Sequence, residues 1–271
     1  MEYTILHAFF RLLCGEKRLN KLIDDGIIHV SGLMRRHFME MNMGVIKPLN
    51  KEEFLTSFHG HQIVVPFDES WVVKEVREVY LKPKHGEVVI DAGAHYGFYT
   101  LFASQLVGRE GSIYAFEPSS KNFRRLLTNL LLNNVKNTKA SNFGLGNSES
   151  VRKLYLSSYS GRHSMLPEIS DRFEVVTVRR FDHVVEKMGL KRVDLMKVDV
   201  EGYEMEVLKG SLRTLKKHKP RLTMACYHYE GEANEIAHWL KEKLPFYTVK
   251  KVGLGFVHAV PIKMNKTGSS S

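Results

Sequence analysis

The sequence predicts an α/β fold: a mostly parallel sheet with helices on both faces, a terminal antiparallel strand and an N-terminal helical appendage. Three observations predict it. From residue 87 onward, short β-rich runs alternate with segments of helical period, the pattern of parallel strands joined by crossover helices. The first of these runs, V-V-I at 88–90, opens directly into the glycine-bearing stretch D-A-G-A-H-Y-G at 91–97. The last two, 246–252 and 255–262, stand only a two-residue turn apart, so a hairpin closes the sheet.

Each element has its own signal. Residues 1–60 read as short helices, because Tyr3, Leu6, Phe9, Phe10 and Leu13, and again Leu33, Met34, His37, Phe38 and Met41, recur at helical spacing. They are expected to form a cap or a homodimer contact. Residues 61–66 look extended, Ser70 can cap a helix running to Tyr80, and Pro83 stops it. Strands are then expected at 87–92, 112–117, 138–143, 193–199 and 221–227. Helices are expected at 96–106, 119–133, 181–188, 204–217 (interrupted by Gly210) and 233–243. Residues 151–156 and 174–178 form an added β pair. The main domain thus spans 61–262, and the tail 263–271, ending K-T-G-S-S-S, reads as disordered.

Composition narrows the class. At 43% hydrophobic and 26% charged, the chain is that of a globular protein. No apolar run is long enough to span a membrane. The N-terminus opens with an acid and is soon broken by His7 and Arg11, unlike a secretory signal. The two cysteines, Cys14 and Cys226, lie far apart, which leaves no zinc knuckle or disulfide framework and points to a reducing, cytoplasmic setting. The net charge of +10 is diffuse; its densest cluster is Lys209, Arg213, Lys216, Lys217, Lys219 and Arg221. That cluster reads either as a nucleic-acid face or as a helix end whose dipole favours cations.

In such sheets ligands bind at the C-terminal strand ends. The first loop offers Gly93 and Gly97, with His95 where a dinucleotide fingerprint would place a second glycine. No G-K-[ST] follows, which excludes a Walker loop. Asp91 at the strand end would repel a pyrophosphate but suits a cationic ligand such as S-adenosylmethionine. Glu117 ends the next strand, where a carboxylate can accept two ribose hydroxyls.

The segment V-D-L-M-K-V-D-V-E-G-Y-E-M-E-V-L-K-G (193–210) resembles the K-I-D-V-E-G-x-E motif of the FkbM family of S-adenosylmethionine-dependent methyltransferases. D-A-G-A-H-Y-G-F-Y-T, A-F-E-P, N-F-G-L-G-N, V-R-R-F-D-H-V and K-P-R-L-T-M-A-C-Y-H resemble its other segments, and the likeness covers about residues 60–262. Phe181 replaces the usual Leu. The resemblance implies a Rossmann-like class I methyltransferase sheet acting on a hydroxyl oxygen of a sugar, glycan or natural product. Carried over, the cofactor contacts are Asp91, Gly93, His95, Gly97 and Glu117, with Asn142 and Phe143 at the adenine.

Asp199, at the end of the fourth strand, is the first choice of base and His228 the second. Lys197 points to the same strand face as Asp199 and can hold it charged. Lys197 and Glu201 read equally as a buried structural pair. A divalent metal on Asp199, Glu201 and His228 is chemically reasonable but is not expected. His163, with Arg162, sits in a polar loop that either gates the pocket or is a plain surface hairpin loop. The competing readings are an RNA methyltransferase, motivated by the basic cluster, and a cofactor-binding interaction module without catalysis.

Overall fold

The structure is a computed structural model that describes residues 47–48, 53–58, 60–66, 80–157, 163–165, 171–253 and 255–262. The helices expected within 1–46, the helix from Ser70 and the tail 263–271 lie outside the described residues. Residues 53–58, expected among the N-terminal helices, instead form a strand. Three short strands, β1 (Lys47–Pro48), β2 (Glu53–Phe58) and β3 (His61–Pro66), pair antiparallel in the order β1-β2-β3. The β2–β3 hairpin turns at Gly60, whose φ of 81° falls in the left-handed region that glycine tolerates.

The main sheet has seven strands. β4 (Val88–Ala92), β5 (Ser112–Phe116), β6 (Thr138–Ser141), β10 (Leu195–Val198) and β11 (Arg221–Ala225) run parallel. The hairpin of β12 (Tyr247–Val252) and β13 (Phe256–Pro261) completes the order β12-β13-β11-β10-β4-β5-β6. The last strand in sequence, β13, is antiparallel to β11 as expected, but it inserts between β11 and β12 instead of lying at the edge. The chain leaves β4 in one direction through β5 and β6, then returns on the other side through β10. The crevice of an open α/β sheet opens at that switch between β4 and β10.

Strand alternation divides the core. Val89, Ile113, Ala115 and Leu195 face α1 (Phe98–Val107) and α2 (Ser120–Leu132). Ile90, Tyr114, Phe116, Met196, Val198 and Met224 face α3 (Phe181–Lys187), α4 (Glu204–Gly210), α5 (Leu212–His218) and α6 (Glu232–Lys243). The break between α4 and α5 follows Gly210, where an added Cβ would stand 1.7 Å from the Gly146 carbonyl oxygen. The added pair forms as expected, β8 (Ser150–Tyr155) against β9 (Phe173–Arg180). A third strand that the sequence reading did not anticipate, β7 (Gly144–Gly146), joins β9 in parallel.

Asn129 on α2 and Asn133, which caps it, tie β3 to that helix, and Asn129 ties it also to the loop after β4. Asn129 Oδ1 accepts from the Val64 N–H at 2.8 Å, and its Nδ2 donates to the Tyr96 carbonyl at 2.7 Å. Asn133 Oδ1 accepts from the Gln62 N–H and its Nδ2 donates to the Gln62 carbonyl, at 2.7 and 2.6 Å. The two amides thereby occupy the open edge of β3, which would otherwise present unpaired backbone groups. Asn129 is fully buried, so Asn129→Leu would strand the Val64 N–H and the Tyr96 carbonyl. The expected loss is about 2–4 kcal/mol of stability, measured by urea unfolding; a loss under about 0.5 kcal/mol would show that this clasp carries nothing.

Candidate functional site

The loop after β4 is shaped by its backbone. Gly93 and Gly97 have φ of 76° and 92°, and His95 between them has φ of 53°. A Cβ on Gly93 would stand 1.7 Å from the Asp199 carbonyl oxygen. This glycine therefore lets the loop after β4 pack against the loop after β10, in addition to any approach to a ligand. The N–H groups of Gly93 and Ala94 both donate to the Phe116 carbonyl at 3.0 Å.

Glu117 lies behind this loop, nearly fully buried. Its Oε2 accepts from the His95 N–H at 2.8 Å and its Oε1 from the Ser119 N–H at 3.0 Å. Burial pushes its carboxyl up to about 7, against the pull of those two hydrogen bonds. The His95 ring stacks on Tyr96 at 3.7 Å. Burial, with the charges of His163, Lys197 and Arg125, holds it well below the usual imidazole range, so it is neutral. Asn142 Nδ2 donates to the carbonyls of Glu117 and Pro118 at 2.9 and 3.0 Å and so fixes the turn after β5. Phe143 packs on Phe116 at 5.3 Å, with the Arg179 guanidinium 4.9 Å over its ring.

Asp91 is fully buried, and Lys197 is 4% exposed. The two stand opposite one another on paired strands, and Lys197 Nζ lies 3.0 Å from Asp91 Oδ1. The same ammonium donates to the Gly93 carbonyl at 2.6 Å, while Thr100 Oγ1 donates to Asp91 Oδ2 at 2.6 Å. The structure thus revises two expectations. Asp91 faces a protein cation, not open space, so its charge is neutralised and does not by itself discriminate against a pyrophosphate. Lys197 is a buried partner of Asp91, with Asp199 Oδ2 farther off at 3.8 Å. Tyr80, which the sequence reading missed, donates its hydroxyl to Asp199 Oδ2 at 2.8 Å.

On the other side of Asp199 four carboxylates converge on His228. Its Nε2 lies 3.7 Å from Asp199 Oδ1 and 3.5 Å from Glu201 Oε2. Its Nδ1 lies 3.5 Å from Glu204 Oε1 and 3.2 Å from Glu232 Oε2. Burial lowers the affinity of His228 for a proton, but the hydrogen bonds to Glu204 and Glu232 and the charges of Glu204 and Glu201 outweigh it and raise the ring to about 11. Burial raises the Glu204 carboxyl. Burial pushes Glu232 the same way, but hydrogen bonds from His228 and Glu204 bring it below the usual range.

Glu204 and Glu232 were not singled out from the sequence. The signals were present: Glu204 closes the same K-V-D-V-E-G-Y-E run, and Glu232 follows His228 by four residues. The polar loop comes close as well, since Ser164 Oγ donates to the Glu201 carbonyl at 2.6 Å and His163 Nδ1 accepts from the Ser157 N–H at 3.1 Å. Arg162 lies outside the described residues.

Lys197, Asp199, Glu201 and Glu204 come from one run on β10 and its following turn, and Asp91, Glu117 and His228 from the C-terminal ends of β4, β5 and β11. The family description "Methyltransferase FkbM domain" matches residues 91–245, more than half the chain. The chain belongs to the FkbM methyltransferase family. Among relatives, "Methyltransferase 1" of Beauveria bassiana (strain ARSEF 2860) is 32% identical over 143 residues, covering 45% of this chain and 57% of the relative. "Hexuronic acid methyltransferase AglP" of Haloferax volcanii is 24% identical over 192 residues, covering 67% of this chain and 76% of the relative. The crystal structure of Methyltransferase FkbM from Methylobacillus flagellatus KT superposes with a TM-score of 0.50 at 18% identity, over 66% of this chain and 44% of that one; this likeness shows the fold alone. The chain spans less than two thirds of the length of the Beauveria relative, and the same is true of "Methyltransferase sdnD" of Sordaria araneosa, where it covers 59%.

The Lys197–Asp91 pair gives a direct test. Lys197→Met leaves a buried, uncompensated carboxylate and is expected to destabilise the fold by about 3–5 kcal/mol. The double variant Asp91→Asn with Lys197→Met recovers part of that loss in a double-mutant cycle. Additive losses would show that the two groups do not depend on each other.

Proposed function

We propose that the chain is an S-adenosylmethionine-dependent methyltransferase acting on a hydroxyl oxygen of a sugar, glycan or other small-molecule acceptor. The observation that carries this reading is Asp199. Its side chain is 21% exposed at the end of β10, its Oδ1 has no hydrogen-bond partner, and its backbone touches Gly93 of the loop after β4. The pocket chemistry fits the donor. Glu117 can accept ribose hydroxyls on its remaining lone pairs, and the 93–97 loop supplies the close backbone approach.

The donor supplies a methyl group on a sulfonium. The acceptor oxygen forms a bond to that carbon as the carbon–sulfur bond breaks, the electron pair leaves with sulfur, and the hydroxyl proton passes to Asp199. The protein's contribution is alignment and proton removal. Lys197 and Tyr80 hold Asp199 in place for this step. A sugar acceptor is favoured by the relation to the hexuronic acid methyltransferase.

The nucleic-acid alternative is weakened at its own motivating feature. Lys209 pairs with Glu206 at 2.7 Å, Arg213 with Asp182 at 3.6 Å and Arg221 with Glu87 at 2.6 Å. Half of the basic cluster is therefore locally compensated.

Asp199→Asn is expected to bind S-adenosylhomocysteine like the parent in calorimetry while methyl transfer falls at least about 100-fold. Turnover at the parental rate would remove Asp199 from the chemistry. The acceptor class is read by incubation with a labelled methyl donor and fractionated extract, following label into glycan, small-molecule, lipid and RNA pools. Affinity for S-adenosylhomocysteine is also expected to rise as pH increases through about 7, because ribose hydroxyls donate to the ionised Glu117 and a proton competes with them. Glu117→Gln should be weaker overall and flat across the same range. A pH dependence that survives this substitution would assign the effect to another group.

A further inference from the structure

The carboxylate cluster around His228 holds more negative charge than its neighbours balance. Among the described residues, Asp91, Asp199, Glu204 and Glu232 lie around two cationic groups, Lys197 and His228. Glu204 and Glu232 are 0% and 1% exposed. A buried carboxylate costs several kcal/mol unless it is paired or binds a cation. The pairing present is incomplete: Asp199 Oδ1, Glu204 Oε2, Glu232 Oε1 and His228 Nε2 are all buried atoms without a hydrogen-bond partner. Asp199, Glu204 and His228 each offer one ligand atom, and these three atoms lie within 4.8 Å of one another.

We propose that Asp199, Glu204 and His228 form a binding site for a divalent cation, a hard ion such as Mg²⁺ or Mn²⁺. Two carboxylates and one imidazole are the donor set such ions accept. Ligand distances of about 2.0–2.2 Å put neighbouring donors about 3–4 Å apart, so side-chain shifts of well under 1 Å would close the site. The residues are also pre-positioned for it. Glu204 Oε1 is fixed by the Val200 N–H at 2.8 Å, which leaves Oε2 for the ion. Glu232 Oε2 accepts from the His228 N–H at 2.9 Å and lies 3.2 Å from Nδ1, the kind of carboxylate behind an imidazole that orients it as a ligand. The carboxylates that draw a proton to the ring would equally draw an ion in its place. An ion on Oδ1 would occupy the oxygen that is otherwise free to take the acceptor's proton and would lower the basicity of Asp199, so proton removal by Asp199 belongs to the ion-free site. Use of the ion in methyl transfer rests on the methyltransferase reading; its occupancy does not.

The test reads occupancy directly. The full chain, stripped with EDTA, is titrated with Mn²⁺ and the free ion is followed by electron paramagnetic resonance. One ion per chain should be held, and excess Mg²⁺ should displace it. Asp199→Asn and Glu204→Gln should each weaken Mn²⁺ binding at least about tenfold, while Glu186→Gln, on the exposed face of α3, leaves it unchanged. Unaltered S-adenosylhomocysteine affinity in Asp199→Asn certifies that this variant is folded; if Glu204→Gln fails to fold, Asp199→Asn alone decides. No retained Mn²⁺ in the parent, or equal retention in the variants, overturns the proposal. Because the readout needs no methyl acceptor, failure of methyl transfer and failure of the cation site are separate results.

Discussion

The site depends on one buried ammonium. Lys197 stands at the centre of the main sheet, opposite Asp91 on β4, and its charge is met within the fold by that carboxylate and by the Gly93 carbonyl. A cation so placed is costly unless its partners are correctly arranged. Position 93 must therefore turn its carbonyl toward the sheet, and Asp91 must remain ionised. Both conditions fix the course of the loop after β4. The same ammonium reaches toward Asp199 on the far side, so one side chain holds together the loop after β4 and the acid at the strand end. The arrangement of the crevice follows from this ion network more than from the apolar layers, which support it from above and below.

Charge divides the crevice into two parts. Around Glu117 and His95 burial raises the carboxyl to about 7, and burial with nearby cations lowers the imidazole below its usual range. Around His228 the carboxylates predominate. The first environment suits an uncharged nucleoside. The second suits either a cation or a hydroxyl that must lose its proton. The turn carrying Glu201 links them; its φ of 56° is a left-handed conformation that costs a non-glycine residue about 1–2 kcal/mol. Strain of this kind persists where surrounding contacts impose it, and here Ser164 holds the Glu201 carbonyl.

Much of this was legible in the sequence because the signals were local. Strand–helix alternation from residue 87 identified all five parallel strands, and the K-V-D-V-E-G-Y-E run pointed to the strand end where the charges gather. What could not be read was which charges cancel. A linear pattern put Asp91 before a glycine loop and Lys197 on the fourth of the expected parallel strands, with nothing to say that they meet. The β2 segment falls inside the helical reading of residues 1–60 although the spacing behind that reading ends at Met41; its pairing with β3 makes it a strand. Tyr80 became a functional candidate only through a contact across the fold, to Asp199 119 residues away.

The bare α-carbon of Gly93 has a consequence for how this protein can change. With no side chain between it and the Asp199 carbonyl, two loops far apart in sequence share one surface of contact. A descendant that acquires any larger residue at 93 must move the turn after β10 outward at the same time, or lose both halves of the crevice. The two positions therefore form a single unit of inheritance, and variation in acceptor choice has to be sought at the rim, away from that contact.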